Sequence, residues 1–501
     1  MRGLQCPKSL YLYKNFIQKR DPISAEQKAI FSRGNNVGTI AQKLFPGGIN
    51  ATPQKHYDYI SAVNKTQQLI NEGVEIIYEA AFQFEQVLSI IDVLVKKPSK
   101  EAIENTLPNE GNQNSKIQNQ WFAYEVKSST KISQSYLLDA SLQYWVITNS
   151  GIPLEDISII TINNQYIKQG AIKLDDFFSI NSVKKEALQN QLLVGEKVML
   201  SKLVVENLNM PEVNIGEHCF SPYNCDFMGT CWKKAPKNSI FEIMGIQKKD
   251  LFILYNQGIK TIAEIPDNNL LDKNANIHIQ SFKNGTPRID IAAIKTFIEK
   301  IEYPLYFMDF ESFMPAIPLY NETKPYQHIP FQYSLHYKKS KETREEHFYF
   351  LAEQGSDPRK HFLENLLNHI ENKGSIIVYD ALMERNILNS LKKQFPEHAA
   401  QIDLLLLRIV DLMIPFQNRS YYHPAMKNSH SIKNILHALI PTLSYTDLKI
   451  SSGSIAMIAF EALQTETDLF KIIETKENLL EYCKLDTLSM VKIYEILEQQ
   501  L

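Results

Sequence analysis

Nowhere does this 501-residue chain string together the roughly 20 apolar residues that a membrane-spanning helix needs, so a helical membrane protein is excluded as a reading of its sequence. Cysteine is scarce, with five in all, which excludes the dense disulfide framework of a small secreted fold. Charge of either sign is nearly balanced at −3, so any phosphate-binding face has to be local. No internal repeat is present, and the one compositionally biased tract is the Asn- and Gln-rich segment 96–120. The opening residues, Met1-Arg2-Gly3-Leu4-Gln5-Cys6-Pro7, lack the apolar stretch of a signal peptide, and the expectation is a cytoplasmic protein. Thiols stay reduced there, and clustered cysteines then serve as metal or cluster ligands more readily than as disulfides.

What the chain does have is length and apolar content enough for two or three cores, at roughly 100–200 residues per domain. The pattern predicts helices near Leu10 to Ile17, Pro53 to Asn71 and Leu137 to Asn149. Strand alternation marks Val74 to Ala80, Phe82 to Val95 and Trp121 to Lys127, with Lys96 to Gln120 as a long hairpin loop between the last two. Residues 236–300 read as a small helical connector. The apolar run Tyr303-Pro304-Leu305-Tyr306-Phe307-Met308 then opens a series of three strands, a helix, a strand and further helices. The expected domains are 1–235, 236–300 and 301–501, and the fold class is α/β.

Two constellations carry chemistry. In the first, Asp92 lies within Ile90-Ile91-Asp92-Val93-Leu94, and Glu125 and Lys127 lie within Phe122-Ala123-Tyr124-Glu125-Val126-Lys127. Residues i and i+2 of a strand share a face, so Glu125 and Lys127 project together. Two carboxylates can hold a divalent metal while a lysine orients the nucleophile. Glu-x-Lys by itself is commonly a solvated strand face, and the context gives it weight. The segment resembles the PD-(D/E)xK nucleases of the RecB family, in which a Gln-centred helix follows this strand, and Ser141-Leu142-Gln143-Tyr144-Trp145 occupies that place. The resemblance implies catalytic roles for Asp92, Glu125, Lys127 and Gln143, with metal held by Asp92 and Glu125. Glu79 adds a further acidic contact. The relatives' histidine after a Gly-rich helix start is missing, and Gln42 is the nearest counterpart.

Four of the cysteines bracket this segment: Cys6 ahead of it, and Cys219, Cys225 and Cys231 behind it. The arrangement is similar to that of iron-sulfur members of the same family, of the AddB and CRISPR-associated exonuclease type. It implies a [4Fe-4S] cluster on four thiolates, with a zinc site as the alternative, where His218 could substitute for one ligand. Cys483 stands apart as a buried helix residue.

In the second constellation, Asp309 and Glu311 end an apolar strand, and Tyr482 and Asp486 are i and i+4 neighbours on a helix. Between them, Ile376 to Glu384 is a strand running into a helix. Together these resemble the ribonuclease H-like 3'-5' exonucleases of the DEDD type, Tyr subclass, whose first motif is Asp-x-Glu and whose third is Tyr-x3-Asp. The resemblance implies metal binding by Asp309, Glu311, Glu384 and Asp486, with Tyr482 positioning the attacking water. Glu384 stands where an Asp is usual, and Asp380, the second choice for that role, where an Asn is usual. Asp411 is expected to support the site. The segments Tyr421 to Pro424 and Ser429 to Lys433 either touch substrate phosphates or form a structural loop. His278 and His361 are expected to be ordinary surface residues.

The connector contains Gly245-Ile246 and Gly258-Ile259 turns, and Lys233 to Lys260 carries six lysines against Glu242 and Asp250. It resembles a helix-hairpin-helix element whose amides and lysines contact phosphates, with a packing helix pair as the equal alternative. Across nearly its whole length the chain resembles a bacterial domain-of-unknown-function family, number 2779. The fold expected from these resemblances is a restriction-endonuclease-like domain, the connector and a ribonuclease H-like mixed sheet with helices. The expected function is a Mg- or Mn-dependent nuclease, a DNA exonuclease of repair, recombination or defence, with a helicase or similar protein as partner and no membrane. The alternatives are a nucleic-acid-binding scaffold with one or both sites inactive, and an RNA exonuclease.

Overall fold

The computed structural model describes residues 1–55, 57–98, 119–243, 245–267, 271–427 and 429–501. The expected loop 96–120 therefore lies mostly outside the described residues. The α/β class is what is found: two compact units, each built on a mixed sheet. No described helix is long and apolar enough to cross a membrane.

The first unit is Met1–Trp232 together with Pro315–Tyr326. Its six strands are β1 (Ile49–Asn50), β2 (Ile76–Phe84), β3 (Val87–Pro98), β4 (Asn119–Val126), β5 (Leu154–Ile162) and β6 (Phe178–Ser182), side by side in sequence order. β2 to β4 run antiparallel, whereas β5 lies parallel to β4. A parallel neighbour needs a crossover, and the helix Gln134–Asn149 supplies it. That helix starts three residues earlier than the apolar pattern implied, because the Ser133 side chain caps it. The β2–β3 turn sits at Glu85 and Gln86, both at positive φ, inside the segment Phe82 to Val95 expected as one strand. A two-residue hairpin turn asks for that backbone, but the usual Asn-Gly signal is absent from the sequence.

Side-chain alternation buries both faces of this sheet. On β4, Trp121 and Ala123 join Ala140, Val146 and Ile147 of the crossover helix. Phe122 and Tyr124 join Val37 and Ala41 of the helix Ala25–Ala41 on the other face. Ala316, Ile317 and Tyr326 pack into this second cluster, and the Tyr326 hydroxyl bonds the Ser128 carbonyl at 2.9 Å. These contacts are why a piece of the expected third domain folds with the first.

The second unit is Lys233–Met314 with Gln327–Leu501, so the expected connector 236–300 belongs to it. Its sheet comprises β8 (Leu305–Phe313), β9 (Ile329–Lys338), β10 (Glu346–Leu351), β11 (Ser375–Val378) and β12 (Ile409–Asp411), in the order β10-β9-β8-β11-β12. The first three are antiparallel, and β11 and β12 are parallel to β8. β12 is too short to register as a strand in the pattern. A small separate pair joins β7 (Arg288–Ile289) and β13 (Tyr421–Tyr422).

Along β8 the even residues Tyr306, Met308 and Phe310 face the helices Arg359–His369 and Leu382–Gln394. The odd residues Leu305 and Phe307 face Met490, Val491, Tyr494 and Leu497 of the long helix Leu469–Glu498. Asp309 and Glu311 continue the odd series and therefore point toward that same helix.

The connector forms its own small core around Ile240, Ile243, Leu251, Ile262 and Ile279. After the helix Lys248–Asn256, the second short helix of the expected motif is a single turn at Ile262–Glu264. The amides of Lys260 and Thr261 are occupied by the Glu264 carboxylate at 2.7 and 2.9 Å. They are thus already satisfied within the chain. His278 is not a surface residue: it is 1 % exposed and lies 5.2 Å from the Tyr422 ring. Its place on the buried side of the helix Lys273–Asn284 is the reason. His361 is exposed as expected.

Candidate functional site

In the first unit, β-sheet register assembles the acidic group. The pairing of Tyr78 with Val93 sets Glu79 opposite Asp92, and that of Val93 with Tyr124 sets Asp92 opposite Glu125. Three carboxylates thus run across three adjacent strands. Glu79 has φ +55°, left-handed backbone inside a strand, a conformation that costs a non-glycine residue of order 1 kcal/mol and gathers at functional sites. The Asp92 carboxylate accepts from the Val126 amide at 2.5 Å. Glu125 Oε1 accepts from Lys127 Nζ at 2.6 Å, and Oε2 from Gln143 Nε2 at 2.6 Å. Lys127 also bonds Asp139 Oδ2 at 2.8 Å.

Asp139 is a member of this group that the sequence reading missed. Its signal was its place one helical turn before Gln143, on the same helix face. Burial, with repulsion from Glu79, holds the Asp92 carboxyl up at about 6 despite the Val126 bond. Burial and the Asp92 charge raise Glu125 to about 8. Burial acts against the Lys127 ammonium, but Glu125 and Asp139 outweigh it and keep it charged. Gln42 ends the helix Ala25–Ala41 and contributes no hydrogen bond to these carboxylates.

All four clustered cysteines come together. Cys6, Cys219, Cys225 and Cys231 line one small cavity of about 20 Å³, beside Lys8 and His218. Burial pushes the Cys6 and Cys231 thiols up, and each also feels the neighbouring cysteines. The surrounding chain is stitched tightly. Arg2 and Arg20 both pair with Asp226, Gln5 donates to the His218 carbonyl at 2.8 Å, and the Asp21 amide to the Asp226 carbonyl at 2.7 Å. Residues more than 200 positions apart thereby form one knot.

In the second unit, ligand oxygens of Asp309, Glu311 and Asp486 lie within 4.8 Å of one another, the one such group of three among the described residues. Glu311 and Asp486 are each 6 % exposed. Burial raises all three carboxyls, and each feels at least one of the others or the Lys433 charge. Glu384 is also buried, and adds to the repulsion on Asp309 and Glu311. Its own carboxyl is pushed up to about 8, and Oε2 has no hydrogen-bond partner. Asp380, by contrast, is exposed at a turn with φ +65°. Of the two choices for the middle motif, Glu384 is the buried one, and its carboxyl also feels Asp380 and Asp411.

Asp411 supports this corner through backbone bonds: it accepts from the Asp380, Ala381 and Met413 amides at 2.9–3.0 Å. The Tyr482 hydroxyl reaches the Asp486 carboxylate, and burial followed by the Asp486 charge drives its pKa far upward. Tyr445, unnoticed in the sequence, donates to Asp486 Oδ1 at 2.7 Å. Cys483 is fully buried, with Sγ 3.6 Å from Asp309 Oδ2. The segment Tyr421 to Pro424 is mainly structural: Tyr421 and Tyr422 form β13, and Tyr422 is fully buried. In Ser429 to Lys433, the lysine turns toward the carboxylates and the Tyr482 ring.

Two buried carboxylates, Glu311 and Asp486, beside the half-buried Asp309 form a group whose desolvation and mutual repulsion a positive ion would relieve. Their spacing suits a divalent ion with oxygen ligands at roughly 2.0–2.6 Å, and the donor set is that of a hard cation. No curated protein and no solved structure matches the chain. Residues 306–431, which hold Asp309, Glu311 and Glu384 but end before Tyr482 and Asp486, match the model of a family described as a domain of unknown function, DUF2779.

Proposed function

We propose that this protein is a metal-dependent nuclease acting on DNA from strand ends. The observation that carries the reading is the convergence of Asp309, Glu311 and Asp486 from two elements far apart in sequence, with the Tyr482 hydroxyl against Asp486. A bound Mg²⁺ or Mn²⁺ supplies an activated water and relief of phosphoryl charge. Asp309, Glu311 and Asp486 would hold it, with Glu384 as the adjoining carboxylate. Tyr482 orients the attacking water through its hydroxyl, and Tyr445 fixes the Asp486 rotamer. The sheet order β10-β9-β8-β11-β12, antiparallel then parallel, supports a ribonuclease H-like assignment of this unit.

The first unit supports a second centre of the restriction-endonuclease-like type. Its antiparallel β2-β3-β4, crossover helix and parallel β5 carry Asp92, Glu125, Lys127 and Gln143 at one point. The meeting of Cys6, Cys219, Cys225 and Cys231 at one cavity supports a [4Fe-4S] cluster on those four thiolates. Zinc on the same four thiolates, or with His218 in place of one, is the alternative. The cluster would act as a staple between the start of the chain and residues 219–231.

A second reading, a nucleic-acid-binding scaffold, is favoured by one observation at the first centre. There both Glu125 oxygens and one Asp92 oxygen are already engaged, by Lys127, Gln143 and the Val126 amide. The deciding experiment is degradation of end-labelled single-stranded DNA and RNA in Mg²⁺ and Mn²⁺ by the wild type, Asp309→Ala and Lys127→Ala. The expected result is DNA shortening that Asp309→Ala abolishes or sharply reduces. Binding without any cleavage in either metal would replace this reading with the scaffold, and faster loss of RNA would make it an RNA exonuclease.

A further inference from the structure

Lys433 is the second residue of the helix Ile432–Leu439, whose start is fixed by Ser431, and the whole of its environment has been assembled from elsewhere in the second unit. Its Nζ donates to the Ser451 carbonyl and lies 3.5 Å from the Tyr482 hydroxyl. It also stands over two rings, 5.0 Å from the Tyr445 centroid and 5.1 Å from that of Tyr482. Asp486, Glu311 and Asp309 all attract it. Yet among the described residues it forms no ion pair with any carboxylate within 4.0 Å: its bonds go to a carbonyl and a phenol.

An ammonium has three N–H donors, so at least one remains after these two contacts. A half-buried lysine that is drawn to a carboxylate cluster, but bonded to a carbonyl and a phenol and set over two aromatic faces, keeps a donor for an anion at that cluster. The anion that belongs beside oxygen-ligated divalent ions is a phosphate ester. We infer that Lys433 is a further catalytic residue, the cation that binds a nonbridging oxygen of the phosphodiester at the Asp309–Glu311–Asp486 centre. The same ammonium steadies Tyr482, because the phenol touches Lys433 on one side and the Asp486 carboxylate on the other. This inference rests on the nuclease reading and names the group that grips the substrate phosphate.

The test uses the full-length protein with Lys433→Met, Lys433→Gln and Lys433→Arg, measuring binding of thymidine 5'-monophosphate and of thymidine in Mn²⁺, and of Mn²⁺ alone. A charge-assisted bond to phosphate is worth roughly a ten- to hundredfold change in affinity. The Met and Gln variants should therefore bind the monophosphate at least about tenfold more weakly, and Arg should keep it within about threefold. Thymidine binding should be equal in all four proteins, and Mn²⁺ binding by the Met and Gln variants should be undiminished, because a repelling charge has been removed. Wild-type-like monophosphate binding by both neutral variants overturns the inference. So does equal weakening for thymidine, loss of Mn²⁺ binding, or a wild type that binds no monophosphate. Protein that grips the monophosphate through Lys433 but degrades neither DNA nor RNA sinks the nuclease reading alone. Wild-type DNA degradation by Lys433→Met sinks this inference alone.

Discussion

Replacing Asp486 by Asn should stabilise the metal-free second unit while abolishing its response to metal. Burial raises the Asp486 carboxyl from 3.8 to about 6. A folded-state value above the unfolded one stabilises at low pH, and that contribution is lost as pH rises through the folded value. At about pH 8 the group is ionised in both states. At 1.36 kcal/mol per pH unit between the two values, holding it ionised costs the fold about 3 kcal/mol. Asn removes that cost, keeps the shape, and forfeits the charge-assisted part of the 2.7 Å Tyr445 bond, on the order of 1 kcal/mol. The net gain is about 2 kcal/mol without metal. Mn²⁺ at about 100 times its Kd should stabilise the wild type by about 2.7 kcal/mol and the Asn variant hardly at all, which reverses their order. Urea unfolding followed by far-UV circular dichroism reads both units. Trp121, Trp145 and Trp232 all lie in the first unit, so fluorescence isolates that one and the remaining transition belongs to the second. An Asn variant less stable than wild type in chelator, or equally stabilised by Mn²⁺, would refute the reasoning.

At the first centre, Lys127→Met strands two carboxylates that now share one ammonium. With Asp139 partly exposed, the expected loss is roughly 2–3 kcal/mol in the fluorescence-monitored transition, below the full cost of breaking a buried pair. Glu125→Gln/Lys127→Met should recover part of it. Anaerobically purified protein should carry iron and sulfide with the absorption of an iron-sulfur centre. Cys225→Ser should lose it and expose the segment before Cys6 to proteolysis, while the circular-dichroism transition of the second unit stays in place. Zinc in place of iron would correct the cofactor assignment. His336 is buried, bonded to Thr487 at 2.8 Å, and pushed down to about 3. Its neutral form is stabilising above the unfolded value near 6.5, and that contribution falls as pH drops toward the folded value. His336→Asn should therefore flatten the loss of second-unit stability between about pH 6.5 and 4, and an unchanged slope would show that His336 accepts a proton in the fold.

Much of the candidate chemistry was legible because it lies within short periodic segments. Glu125 and Lys127 are two apart on a strand, Asp309 and Glu311 two apart on another, and Tyr482 and Asp486 four apart on a helix, so local geometry alone puts each pair on one face. Asp139 has the local signal of lying one turn before Gln143, but the bonds of Asp139, Tyr445 and Lys433 to their partners span a fold that no local period encodes. The first bonds a lysine on the preceding strand's end, and the other two meet the long C-terminal helix from loops and a short helix more than 35 residues away. The β2–β3 turn at Glu85 and Gln86 was missed because residues without turn preference were forced to positive φ by the pairing of their strands.

By itself the sequence determined the α/β class, the paired carboxylates and the cysteine bracket, because strand and helix periods and residue chemistry are local properties. Only the tertiary structure decided that Glu384 is buried and Asp380 exposed, although the two lie four apart on one turn and helix. It also decided that Pro315–Tyr326 belongs with the first unit, that His278 is core, and that Cys6 meets three cysteines more than 200 residues away. Those outcomes depend on which surfaces can be buried together, a condition set by the whole chain at once.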